Sequence, residues 1–158
     1  MRTRIALVVA VSCLSAGVGE SRLTYWWTFE ELQAKSDIVV IAEMLGTRNM
    51  KVKALLIDTR PPYPAVELNT EFKVLTTLKG VVDSKRLTLR HYRTDTELLS
   101  GGILNGPGFV EFTRGPMNVY LLFLKQEFDG LYSATSGQVD PHSSVFALPR
   151  HSLTPFPQ

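Results

Sequence analysis

The side chains best suited to acid–base or metal chemistry are three histidines, His91, His142 and His151. His91 stands in "RLTLRHYRTD", Arg86 to Asp95, beside Tyr92 and Arg93, and His142 follows Asp140 in "VDPHSS". An imidazole, a phenol and a guanidinium together suit an anion, a metal or a protein partner. His91, Tyr92, Arg93, Asp140 and His142 are therefore the candidate ligand-binding residues. A catalytic constellation is harder to assemble. No histidine pair has HxxxH or HExxH spacing, so no zinc set emerges. "TSGQ" at Ser136 lacks the GxSxG pattern that strains a serine nucleophile onto a turn. Fifteen acidic residues offer many carboxylate pairs, and nothing singles one out. "SGGILNGPG", Ser100 to Gly108, is glycine-rich without phosphate-loop spacing and reads as a connection. No catalytic residue, metal or cofactor is assigned. The leading expectation is a binding or accessory module of unknown ligand, not an enzyme. The alternative is an exported hydrolase or metal-dependent enzyme using His91, His142 and a carboxylate.

These residues need elements to position them. In "RLTLRHYR" period-two alternation places Leu87 and Leu89 on one face and Arg86, Thr88, Arg90 and Tyr92 on the other. A continuing strand puts His91 on the leucine face, as the last inward residue. "VELNTEFKVLTTLKG" alternates further, with Val66, Leu68, Thr70, Phe72, Val74, Thr76 and Leu78 on one face and Leu75 as the exception. A strand this long is expected to bend. "DIVVIAEML", Asp37 to Leu45, and "VYLLFLK", Val119 to Lys125, are continuously apolar and suit strands covered on both sides. "KVKALLID" and "FVEF" read as further strands, "RPPYP" as a loop, and Asp129-Gly130 as a type I′ hairpin turn into "LYSATS". In "TFEELQAKS", Thr28 and Glu31 form a capping box for a helix of about two turns. Trp26 and Trp27 before it read as apolar bodies pinning the leading segment to the core. "VDPHSSVFAL" reads as one helical turn capped by Asp140.

The chain has 158 residues, enough for one domain. Arg2 and Arg4, the apolar run Ile5 to Val11 and the small residues of "SCLSAGVG" have the order of a secretory signal peptide. Residues 1–19 are expected to be that signal, 20–148 a single β-barrel domain and 149–158 a proline-rich flexible tail. No later segment approaches the roughly 20 apolar residues of a membrane-spanning helix. Removing Arg2 and Arg4 leaves 15 of the 17 basic side chains against 15 acidic ones. A balanced chain gives no reason to expect nucleic acid as a partner; another exported protein is the expected kind. Cys13, the single cysteine, lies inside the signal, so the mature chain has no thiol and no disulfide. "VAVSC" also resembles a lipoprotein cleavage site, which makes anchoring through Cys13 the alternative to free periplasmic or secreted protein.

Five stronger strands and a short helix suggest a small closed or half-closed barrel. "AKSDIVVIAEML", "FKVLTTLKG", "RLTLRHYR", "VYLLFLK" and "DGLYSATSG" resemble the successive strands of netrin-like domains, the OB-fold group that includes the tissue metalloproteinase inhibitors. The order is also similar to exported bacterial proteins ending in "YLLFL…DG.Y…SG..DP". The resemblance runs from Ala34 to about Leu148. It implies a mainly β chain: a small five-stranded OB-like (netrin-like) barrel with one short N-terminal helix. The inhibitors chelate the protease zinc through an amino-terminal cysteine, which a cysteine-free mature chain lacks, so that mechanism does not carry over.

Overall fold

The computed structural model describes residues 25–57, 59, 62–98, 107–112, 115, 118–139 and 141–149. The expected signal segment with Cys13, most of "SGGILNGPG", Asp140, His151 and the proline-rich end after Pro149 lie outside the described residues. Six strands follow one helix: α1 Phe29–Lys35, β1 Ile38–Leu56, β2 Tyr63–Lys79, β3 Arg86–Thr94, β4 Val119–Gln126, β5 Tyr132–Ala134 and β6 Val145–Leu148. The chain is mainly β, as expected, with a short 3-10 turn over Pro141–Ser144.

Pairing runs β1-β2-β3-β5-β4, and β4 pairs back onto β1, so hydrogen bonding closes as a ring over five strands. All of these pairs are antiparallel except β3–β5, a parallel bridge at Leu89 and Tyr132. β6, which the sequence reading did not separate from the preceding turn, adds to β4. Inside the ring lie Val40, Ala42, Phe72, Leu89, Leu122 and Leu124, all nearly or fully buried. The uninterrupted apolar runs of β1 and β4 have a second purpose. Val39 and Phe123 point outward and bury Leu32 of α1.

α1 has the expected capping box. The Glu31 N–H donates to Thr28 Oγ1 at 3.2 Å and the Thr28 N–H to Glu31 Oε2 at 3.0 Å. Its other end is satisfied by Lys79, whose ammonium donates to the carbonyls of Ala34 at 3.2 Å and Ser36 at 2.7 Å. Trp27 packs against the Leu32 cluster with the Lys35 ammonium over its ring, whereas Trp26 is 82% exposed. One tryptophan of the pair pins the segment; the other does not.

Bulges account for the main departures from alternation. The inward face of β2 runs as expected from Val66 to Val74, but Thr76 and Leu78 are exposed. Val40 pairs with Thr77, Ile41 with Thr76 and Ala42 with Val74, so Leu75 is an extra, unpartnered residue; Leu78, between Thr77 and Lys79, is another. Each flips the parity that follows it. On β1, "KVKALLID" is not a separate strand: Ile38–Leu56 is continuous, with irregular pairing between Asn49 and Lys53. Within that irregularity Lys51 adopts φ 58°, and its N–H donates to Asn49 Oδ1 at 2.8 Å.

Two turns also differ from expectation. Only Gly130 of the Asp129-Gly130 pair has positive φ; its N–H donates to the Glu127 carbonyl at 3.1 Å, and the Glu127 N–H to the Leu131 carbonyl at 2.8 Å. That is a type I turn followed by a left-handed glycine, not type I′. "FVEF" is not a strand. It folds over one end of the ring, where Phe112 meets Phe72, His91 and Tyr120 edge-on at ring distances of 5.1, 5.0 and 5.2 Å. "RPPYP" is a loop only in part, because Tyr63 and Pro64 begin β2, where a missing donor costs least. No described helix is long and apolar enough to cross a membrane.

Candidate functional site

Alternation along β3 distributes the candidate residues before any contact is considered. Leu87, Leu89 and His91 face the ring interior; Arg90 and Tyr92 face outward. His91 is 4% exposed. Its Nε2 shares a 2.8 Å hydrogen bond with Thr70 Oγ1, which shares one of 2.7 Å with Thr47 Oγ1. Burial pushes its pKa down to about 4; the Val110 backbone works the other way, but no hydrogen bond to Nδ1 closes. At neutral pH the ring is uncharged, enclosed by Phe112 and hydrogen-bonded to a threonine. The sequence expectation of an inward, hydrogen-bonded histidine at the end of the strand matches this placement.

Tyr92 lies on the opposite face, in register with Glu67. Burial, followed by the charge of Glu67, pushes its hydroxyl pKa up. Arg90 beside it forms ion pairs with Glu67 at 3.4 Å and with Asp129. His91 and Tyr92 therefore do not converge. Asp140 is outside the described residues. His142 lies on the 3-10 turn, and only its backbone is described. Among the described residues, no three His, Cys, Asp or Glu side chains gather as metal ligands.

Arg93 does lie where a ligand can reach. Pairing places Lys53 of β1 opposite Val66 of β2, and Val66 opposite Arg93 of β3. Cross-strand partners point to one side of a sheet, so these three form a row on the same face as His91, one row beyond it. Asp95 continues that face past the end of β3. The row floors a groove of about 350 Å³ whose lining also includes Asn49, Lys51, Asp95 and Glu97. It occupies the end of the β1–β2–β3 sheet, outside the filled interior.

The charges of this groove are unevenly matched. Asp95 has a side chain only 3% exposed, although it is a carboxylate. Its Oδ1 accepts from the Glu97 N–H at 3.1 Å, while its Oδ2 is buried and receives no hydrogen bond. Lys53 Nζ sits 3.4 Å from that oxygen, near enough to attract it by charge but without hydrogen-bond geometry, and 3.0 Å from Glu97 Oε2. The hydrogen bond to Glu97, and then the neighbouring Asp95 carboxylate, raise the Lys53 pKa. Lys51 and Arg93 pair with no carboxylate among the described residues; the Arg93 guanidinium reaches only the neighbouring Thr94 carbonyl, at 3.3 Å.

Sequence reasoning found Arg93 and missed Lys51, Lys53 and Asp95. For Asp95 a signal existed: the alternation that placed His91 inward places residues 93 and 95 on the same side. Lys51 and Lys53 join the groove only through the irregular pairing of β1. Comparison with known proteins brings no match among protein-family models, curated proteins or solved structures.

Proposed function

We propose that the protein is an exported, non-catalytic binding or accessory module, built on an OB-like, netrin-like ring and binding its ligand in the groove at the open end of β1–β2–β3. The observation that carries this reading is the groove itself, with two cations, Lys51 and Arg93, that pair with no described carboxylate, beside the buried carboxylate of Asp95. Desolvating a polar group without completing its hydrogen bonds costs about 1–3 kcal/mol, and more for a charged carboxylate. Such a cost at an accessible groove fits a site that a ligand completes.

The strand order supports the OB-like part. Five strands closing as β1-β2-β3-β5-β4-β1, with β3 and β5 parallel, have the connectivity of a Greek-key barrel of that type. OB-folds take ligands on the face of their second and third strands and on the loops flanking it. The groove lies at the end of those two strands, on the side continuous with the ring interior, extended by the far end of β1. Export is supported by the Arg–apolar–small-residue order of residues 1–19.

The test is a two-dimensional NMR titration of the labelled protein with the small-molecule extract of the producing cell's envelope. Shifts are expected at Lys51, Lys53, Val66, Arg93 and Asp95, and their loss in Lys51→Ala/Arg93→Ala. Shifts confined to other surfaces, or none, would overturn the reading.

A further inference from the structure

The groove is lined by both signs of charge at short range. Lys51, Lys53 and Arg93 supply three cations, and Asp95 and Glu97 two carboxylates. A ligand carrying only negative charge would meet Lys51 and Arg93 but would face Asp95 and Glu97 as well. A purely cationic ligand would face three like charges. Like-charge juxtaposition across a binding surface works against a partner, so neither simple ion suits it.

Asp95 is informative in a second way. Its Oδ2 is buried and takes no hydrogen bond, and the cation beside it is the Lys53 ammonium at 3.4 Å. Lys53 is a mobile kind of cover. Its side chain is 54% exposed, and it already holds Glu97 at 3.0 Å. Swinging toward Glu97 would leave the Asp95 oxygen open to another N–H donor without stranding the lysine charge.

We propose that this groove binds a small zwitterion, a molecule with an ammonium and a carboxylate on one short frame, as in an amino acid or a short peptide. The ammonium replaces Lys53 at Asp95, the carboxylate lies toward Lys51 and Arg93, and Val66 floors the apolar part. A volume of about 350 Å³ suits such a molecule and is near the lower bound for small-molecule pockets. The inference rests on the binding-module reading and adds the ligand class to it.

The experiment titrates the labelled full chain with alanine, leucine and dialanine, and separately with acetate and methylammonium at matched ionic strength. Dialanine separates its end charges further than a free amino acid does, so the order of affinities tells a peptide from an amino acid. Saturable shifts at Lys53, Arg93 and Asp95 are expected with at least one zwitterion, about tenfold tighter than with either single ion. Arg93→Gln and Glu97→Gln change exposed side chains and should keep the fold; each is expected to weaken zwitterion binding. Asp95→Asn is the stronger test if it folds. Acetate binding as tightly as the zwitterions, or no saturation by tens of millimolar, would overturn the ligand class. If the envelope extract still shifts the groove, the module reading survives that failure; if it does not, both fall.

Discussion

His91, Tyr92 and Arg93 are adjacent in sequence and disposed differently in space, because consecutive residues of a strand point to opposite faces. The inward placement of His91 was legible from Leu87 and Leu89, and the same parity already separated it from Tyr92. The partner on which its burial depends, Phe112, was not legible, since "FVEF" looks like a strand and folds as a plug. The buried ring makes a prediction with a definite sign. Its folded pKa of about 4 lies below the ordinary 6.5, so between those values the unfolded chain binds the extra proton. Stability is thus fully present above about pH 6.5 and falls as the pH drops toward 4, by about 3 kcal/mol from this group. His91→Gln should flatten that part of the stability-against-pH curve relative to wild type in urea titrations. Parallel curves would mean the histidine is not buried neutral. His91→Ala should cost about 1–3 kcal/mol through loss of the buried Thr70 hydrogen bond, Thr70 keeping only Thr47 as a partner. Added zinc should leave the midpoint of wild type unchanged, and a zinc-dependent rise lost in the mutant would revive a metal site.

The strands were largely legible as elements, because a ring interior imposes period two and a helix-covered outer face removes the polar half of it. Their irregularities were not. Leu75 and Leu78 of β2 and the Asn49–Lys53 stretch of β1 are insertions into the ladder, and a bulge leaves no period of its own in a sequence. Phe72 lies before both β2 bulges and is fully buried, so Phe72→Ala should cost about 3–5 kcal/mol in denaturant titration. Lys73, exposed next to it, should change stability by within about half a kcal/mol when replaced by alanine. Equal effects would mean the register is wrong. The turn after β2 is held to one residue type. Gly80 has φ 76°, and a Cβ there would stand 2.3 Å from the Asp37 carbonyl oxygen. Gly80→Ala is expected to destabilise by more than about 1 kcal/mol, since left-handed strain and a backbone clash add. A neutral result would place that turn away from the start of β1.

A closed or half-closed ring was expected from five strands and a short helix, but which strands meet was not legible, because no local pattern states that β4 returns to β1. The ring is also unevenly sealed. β2 and β3 pair continuously from Ala65–Thr94 to Lys73–Arg86, whereas β3 and β5 meet at the single bridge Leu89–Tyr132. Local opening follows the weakest pairing, so β5 amides should exchange with solvent faster than those of Phe72 or Leu87. Uniform protection across the ring would argue against that seam. The largest-scale prediction concerns the segment before the domain. Arg2 and Arg4, then Ile5 to Val11, then "SCLSAGVG" give the charge, apolar length and small residues that an export signal needs, and Gly17 and Gly19 fit the two small positions before a cut. Cleavage between Ala16 and Glu20 would also remove the only cysteine and leave basic and acidic side chains in balance. Intact-mass measurement on protein from the producing cell should therefore find a chain shortened within that window, in the envelope or the medium. An acylated chain beginning at Cys13 would point instead to a lipid anchor, and a cytoplasmic chain that keeps its first segment would refute export altogether.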